Sequence, residues 1–131
     1  MAFFTPKLTL ARLIPDGDPA GVTSTLTVSG SGIAALEFVE IVVSLTHEHS
    51  GDLELTVQKV GGANDVLLQP HRCIPDELSH LEVCSNLDEY PFGSTRHLDE
   101  PGDGSWVLTV RDTKSGSTGT LLDWHLNLYG R

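Results

Sequence analysis

Serine hydrolysis needs a hydroxyl held beside a histidine that a carboxylate orients. The chain has the raw materials, with six histidines and 18 acidic residues in 131, but their spacing carries no signature. "SGSG" at 29–32 and "SGSTG" at 115–119 do not form G-x-S-x-G and read as Gly/Ser loops. In "HEHSG", 47–51, His47 and His49 stand two apart, whereas a zinc-binding H-E-x-x-H motif places its histidines one helical turn apart. That segment falls at a turn between strands, so zinc is not expected there. His71, His80, His97 and His125 are scattered, and surface or hydrogen-bonding roles are expected of them. No Gly-rich turn opens a helix, so a phosphate cradle is not expected either.

Two further groups bear on chemistry. If residues 22–29 and 37–46 pair as a hairpin, "IPDGDPAG" comes beside "THEHSGD" and Asp16, Asp18 and Asp52 share one end of the fold. Such carboxylates, with turn carbonyls nearby, form the hard-oxygen shell that calcium takes, which makes calcium the candidate cofactor. The competing reading is that Asp16 and Asp52 cap turns through their own backbone. Cys73 and Cys84 enclose ten residues, and a disulfide of that span in an oxidising compartment contributes up to about 3 kcal/mol; the alternative is two thiols. With no second cysteine pair and no CxxC, a thiolate-rich zinc site is not expected.

The elements that would position these groups are strands. Trp106, Leu108 and Val110 share one parity, and Leu122, Trp124, Leu126 and Leu128 share another, with Thr109, Arg111, Asp123, His125 and Asn127 opposite. The two runs read as half-buried strands of a hairpin closed through the Gly/Ser-rich segment 113–119. Both indoles are expected in the core; a sugar platform would require them in solvent. Upstream, Thr23, Thr25 and Thr27 alternate with Val22, Ser24, Leu26 and Val28, and Val39, Ile41, Val43 and Leu45 lie on one face. Leu53, Leu55 and Val57 follow, then a short run at 66–68. Only "PDELSHLE", 75–82, reads as a helical turn. Residues 1–13 read as a tail, frayed over 1–6, with an edge strand around Leu8 and Leu10; residues 14–131 read as the sandwich. Six or seven short strands with turn signals between them point to an all-β sandwich or jelly roll.

A chain of this length supports one core without metals or crosslinks. Its formal charge of −10 repels phosphate backbones and anionic lipid, so no nucleic-acid partner is expected. No apolar stretch approaches 18 residues, so no membrane insertion is expected. Without a basic-then-apolar leader the chain as given is not expected to direct its own export, and it reads as an excised piece.

Taken together, "IPDGDPAGVTSTLTVSGSG", "VEIVVSLTHEHSGDLELTV" and "DEPGDGSWVLTVRDTKSGSTGTLLDWHLNLYG" resemble the P domain, also called homo B, of kexin- and furin-like subtilisin-type proprotein convertases. The resemblance runs from about Ile14 to Gly130. It implies a jelly-roll, galactose-binding-domain-like β-sandwich and carries over no catalytic residue. Asp16, Asp52, Glu100, Trp106, Asp112 and Gly119 correspond to framework positions. It implies an extracellular, non-catalytic accessory domain whose partner is an adjacent subtilisin-like catalytic domain that does the hydrolysis. The family's usual acidic and aromatic stretch before D-E is replaced here by a segment holding Cys73 and Cys84. The alternative from another class is an autonomous adhesion, carbohydrate-binding or protein-binding module, because jelly rolls host many binding functions.

Overall fold

The computed structural model describes residues 1–47, 52–69, 74–76, 81–83, 86–116 and 118–131. They contain eleven strands: β1 (Ala2–Phe4), β2 (Leu8–Ile14), β3 (Val22–Val28), β4 (Leu36–His47), β5 (Leu53–Lys59), β6 (Asn64–Leu68), β7 (Ile74–Asp76), β8 (Leu81–Val83), β9 (Leu87–Ser94), β10 (Gly104–Asp112) and β11 (Gly119–Gly130). A five-stranded sheet runs β1-β11-β4-β9, with β2 also on β11, and a four-stranded sheet runs β3-β10-β5-β6. The two antiparallel sheets pack face to face as a jelly-roll-type β-sandwich.

Parity identifies which side chains turn inward. Leu26 and Val28 of β3, Val39 through Leu45 at alternate positions of β4, Leu53, Leu55 and Val57 of β5, and Trp106, Leu108 and Val110 of β10 form one buried cluster. Both indoles are wholly excluded from solvent, so they cannot serve as a sugar platform. Each finds an acceptor: Trp106 Nε1 donates to the Gly102 carbonyl at 3.3 Å, and Trp124 Nε1 donates to Ser24 Oγ at 2.8 Å.

The strand pairings differ from those expected. Residues 22–29 and 37–46 are not a hairpin, because β3 pairs with β10 while β4 pairs with β11 and β9. Nor do β10 and β11 pair; β10 lies between β3 and β5, and β11 lies between the first two strands and β4. Each connection crosses from one sheet to the other. Alternation shows that two runs have one apolar face apiece, but facing strands satisfy it as well as neighbouring strands do. Stacked sheets stand only about 10 Å apart, a gap a six-residue link spans.

Three local features also depart from expectation. A bulge at Leu121/Asp123 shifts the phase of β11, so Leu121 joins Trp124, Leu126 and Leu128 in the core and Leu122 does not. Residues 1–6 are not a frayed tail as a whole: Ala2–Phe4 pairs with Asn127–Tyr129, and Thr5 donates and accepts hydrogen bonds at Leu126. Of the segment 75–82 expected to hold a helical turn, residues 77–80 lie outside the described residues, and the flanking Ile74–Asp76 and Leu81–Val83 pair as antiparallel strands. β9 is hidden in the sequence because Pro91 and Gly93 interrupt its pattern, and an edge strand tolerates both.

Gly119 opens β11 against the end of β4. A Cβ there would lie 2.0 Å from the Thr46 carbonyl oxygen, a backbone atom that cannot swing aside. Gly119→Ala is therefore expected to destabilise the fold by about 1–3 kcal/mol, read as a lower urea midpoint at unchanged slope.

Candidate functional site

The groups able to do chemistry gather at the two ends of the sandwich. At one end, His47 closes β4 and Asp112 closes β10, so the two belong to opposite sheets. His47 Nε2 stands 3.2 Å from Asp112 Oδ2, and neither side chain reaches solvent. A carboxylate only accepts, so the ring nitrogen donates. Asp112 Oδ1 also accepts the Lys114 N–H at 3.1 Å, which sets the first residues of the β10–β11 link.

The three aspartates expected to hold calcium each contact nearby backbone among the described residues. Asp16 receives the Gly116 N–H on both carboxylate oxygens, at 3.1 and 3.2 Å. Asp18 caps its own turn by accepting the Ala20 N–H at 2.9 Å. Asp52 is buried, and its carbonyl accepts both the N–H and the hydroxyl of Thr113, at 2.8 and 2.7 Å. The tie between Asp52 and the 113–118 link arises because β5 and β10 are neighbours, not through the hairpin expected from sequence. Among the described residues no three His, Cys, Asp or Glu side chains converge as metal ligands would. Cys73 and Cys84, the disulfide candidates, lie outside the described residues, as does His49 of the "HEHSG" motif.

The opposite end carries a second histidine–carboxylate pair, His97 and Glu100. His97 is fully buried, with Nδ1 3.2 Å from Glu100 Oε1 and its ring edge-on to Trp106 at 4.8 Å. Glu100 Oε2 accepts the Ala63 N–H from the β5–β6 turn at 2.9 Å. The Glu100 carbonyl accepts the Leu36 N–H that starts β4, at 2.8 Å. One residue thus grips both sheets. In the sequence Glu100 stands out as a framework position of the D-E segment, and His97 lies three residues before it.

Nearby, Asp103 accepts the Gly30 and Ser31 N–H groups, each at 2.9 Å, and the Ser31 hydroxyl at 2.5 Å. The Ser31 hydroxyl, then its N–H, hold the Asp103 carboxyl below the usual aspartate range. Ser31 is therefore bonded to a carboxylate rather than to a histidine. A groove of about 290 Å³ opens between the β1–β2 link and β3, and another of about 200 Å³ lies beside Arg111 and Glu54. Among the described residues no histidine lines either groove. His47, Asp112 and the His97 ring are buried while Glu100 is partly exposed, and in this arrangement both pairs tie loops together.

The model of the proprotein convertase P-domain family matches residues 36–128. The chain belongs to that family. The P domain is 33% identical over 104 residues to Endoprotease bli-4 of Caenorhabditis elegans, covering 78% of this chain and 10% of that protein. It is 29% identical over 109 residues to human proprotein convertase subtilisin/kexin type 7, covering 82% of this chain and 13% of that protein. The chain therefore spans a small fraction of the curated relatives it matches. Its fold superimposes on a serine protease of Aeromonas sobria, solved with its chaperone, with a TM-score of 0.78 at 19% identity, covering all of this chain and 27% of the other. Each framework position of this P domain has a physical role. Asp112 and Glu100 hold the two histidines, Trp106 fills the core, Gly119 admits the Thr46 carbonyl, and Asp16 and Asp52 fix the 113–118 link.

The depressed Asp103 carboxyl has a defined sign in its effect on stability. Its contribution is present above the unfolded value and is lost as pH falls through the lower folded value. Asp103→Asn is expected to lower the thermal midpoint at pH 7, with the gap to wild type closing below about pH 4. A gap independent of pH would place the Asn effect elsewhere.

Proposed function

We propose that this P domain is a non-catalytic accessory part of a secreted, subtilisin-like serine endopeptidase of kexin/furin type. It packs on the adjacent catalytic domain and stabilises or regulates it, and that neighbour hydrolyses the peptide bond. The observation that supports this most is the pattern of similarity: relatives that are endoproteases and proprotein convertases match the P domain over 10–13% of their length. The burial of both histidine rings, His47 and His97, agrees, because a general base must reach the proton it removes. Export to an oxidising compartment suits the Cys73 and Cys84 pair.

Removing the P domain from the full-length parent is expected to shorten the thermal half-life of protease activity, while the isolated 131-residue chain releases nothing from casein or ester substrates. A parent whose activity and half-life are both unchanged by the deletion would refute the proposal. Calcium at the Asp16, Asp18 and Asp52 end is a separate part of the proposal, supported by the gathering of these loops and not by a completed ligand set. A bound ion must raise the melting midpoint by mass action. Millimolar calcium is accordingly expected to raise the midpoint relative to chelator, and equal midpoints remove calcium from the account.

A further inference from the structure

β1, β11 and β4 present an aromatic row on the outer face of the five-stranded sheet. Phe4 meets Tyr129 edge-on at 6.0 Å, and Tyr129 meets Phe38 at 6.1 Å. Phe38 in turn lies over Gly93 of β9, where any Cβ would stand 2.8 Å from its ring. The row therefore crosses four strands as one continuous strip. Phe4 is 61% exposed and Phe38 is 37% exposed. Single apolar residues in water are ordinary, but rings in mutual contact form a patch of the kind that marks an interface.

The surroundings sharpen this. Arg131, ion-paired to Glu37 and Asp99, and Asn127, bonded to Glu40, supply a polar margin. An apolar aromatic centre with a polar rim is the anatomy of a binding hot spot. The far end of the same face is already occupied by the chain's own Lys7–Glu89 ion pair and by the Glu89 N–H bonded to Ser44. The outer face of the four-stranded sheet offers no ring; its outward positions include Thr23, Thr25, Thr27, Thr56, Gln58 and Thr109.

Position supplies the occupant. The Gly130 N–H donates to the Met1 carbonyl at 3.0 Å, so the first and last residues lie together beside this row, and both are exposed. A neighbour tethered at either end is held at high effective concentration next to these rings. We propose that the Phe4–Tyr129–Phe38 row is the surface on which the parent's subtilisin-like catalytic domain docks, a step that rests on the accessory-domain reading above.

The test uses the full-length parent with Phe4→Arg, Phe38→Arg, the control Thr25→Arg/Gln58→Arg on the other outer face, and deletion of the whole domain. Thermal half-life of protease activity is measured for each, alongside the melting midpoint of each variant as the 131-residue chain. The expected result is that deletion shortens the half-life, either ring variant shortens it about tenfold, the control leaves it within about twofold, and the isolated variants keep their midpoints. If deletion shortens the half-life but both ring variants behave as wild type, the docking surface is wrong and the accessory reading survives. If deletion has no effect, the accessory reading itself fails and the surface falls with it. Phe4→Arg, on a short edge strand, keeps the test open should Phe38→Arg fail to fold. Sedimentation of the isolated chain as a dimer that Phe38→Arg dissolves would overturn the proposal by assigning the row to a second copy.

Discussion

The structure depends on cross-sheet polar ties set into an otherwise apolar interior. His47 of β4 meets Asp112 of β10 at one end, Trp124 of β11 donates to Ser24 of β3 in the middle, and Glu100 holds both the β5–β6 turn and the start of β4 at the other. Apolar packing is non-directional and would tolerate some sliding of one sheet over the other. A hydrogen bond inside a dry core tolerates little, because an unmade partner keeps its full desolvation cost, about 1–3 kcal/mol. These ties fix how the two sheets register on each other.

They also explain why groups that look catalytic by residue type are structural in space. A histidine beside a carboxylate makes two members of a hydrolytic triad, and the described residues contain two such pairs. The first is sealed; in the second the His97 ring is buried against Trp106 while Glu100 stays partly exposed. Leaving a buried polar group without its hydrogen-bond partner typically costs about 1–3 kcal/mol. That scale is enough to hold loops at both ends of a small domain, whose total margin is commonly about 5–15 kcal/mol. The chemistry of these residues goes into cohesion, which leaves function to the surface.

The inward face of each strand was legible in the sequence where alternation is unbroken. Thr23 to Val28, Val39 to Leu45 and Trp106 to Val110 are disposed as their parity predicts. Legibility failed at Leu121 and Leu122, where a bulge inserts one residue and reverses the phase, and at β9, where Pro91 and Gly93 hide a strand. At the candidate site, the Asp52 carbonyl meets Thr113 because β5 and β10 pair, Asp16 accepts the Gly116 N–H, and Asp18 caps its own turn, contacts that no short stretch of sequence announces. The His47–Asp112 pair was hidden because the two are 65 residues apart, and nothing local to either predicts the meeting.

By itself the sequence determined that the chain is all-β, that it has one core and that both indoles are buried, because these follow from side-chain type and from a period of two that each strand carries within itself; the family showed in the likeness of its motifs. Only the tertiary structure decided which strands are neighbours and which face each other, that the first residues complete a sheet edge, and that Phe4, Tyr129 and Phe38 form one row. The reason is that alternation specifies a face but not a partner. Partners are chosen by the joint closure of two sheets, through contacts that no short stretch of chain contains.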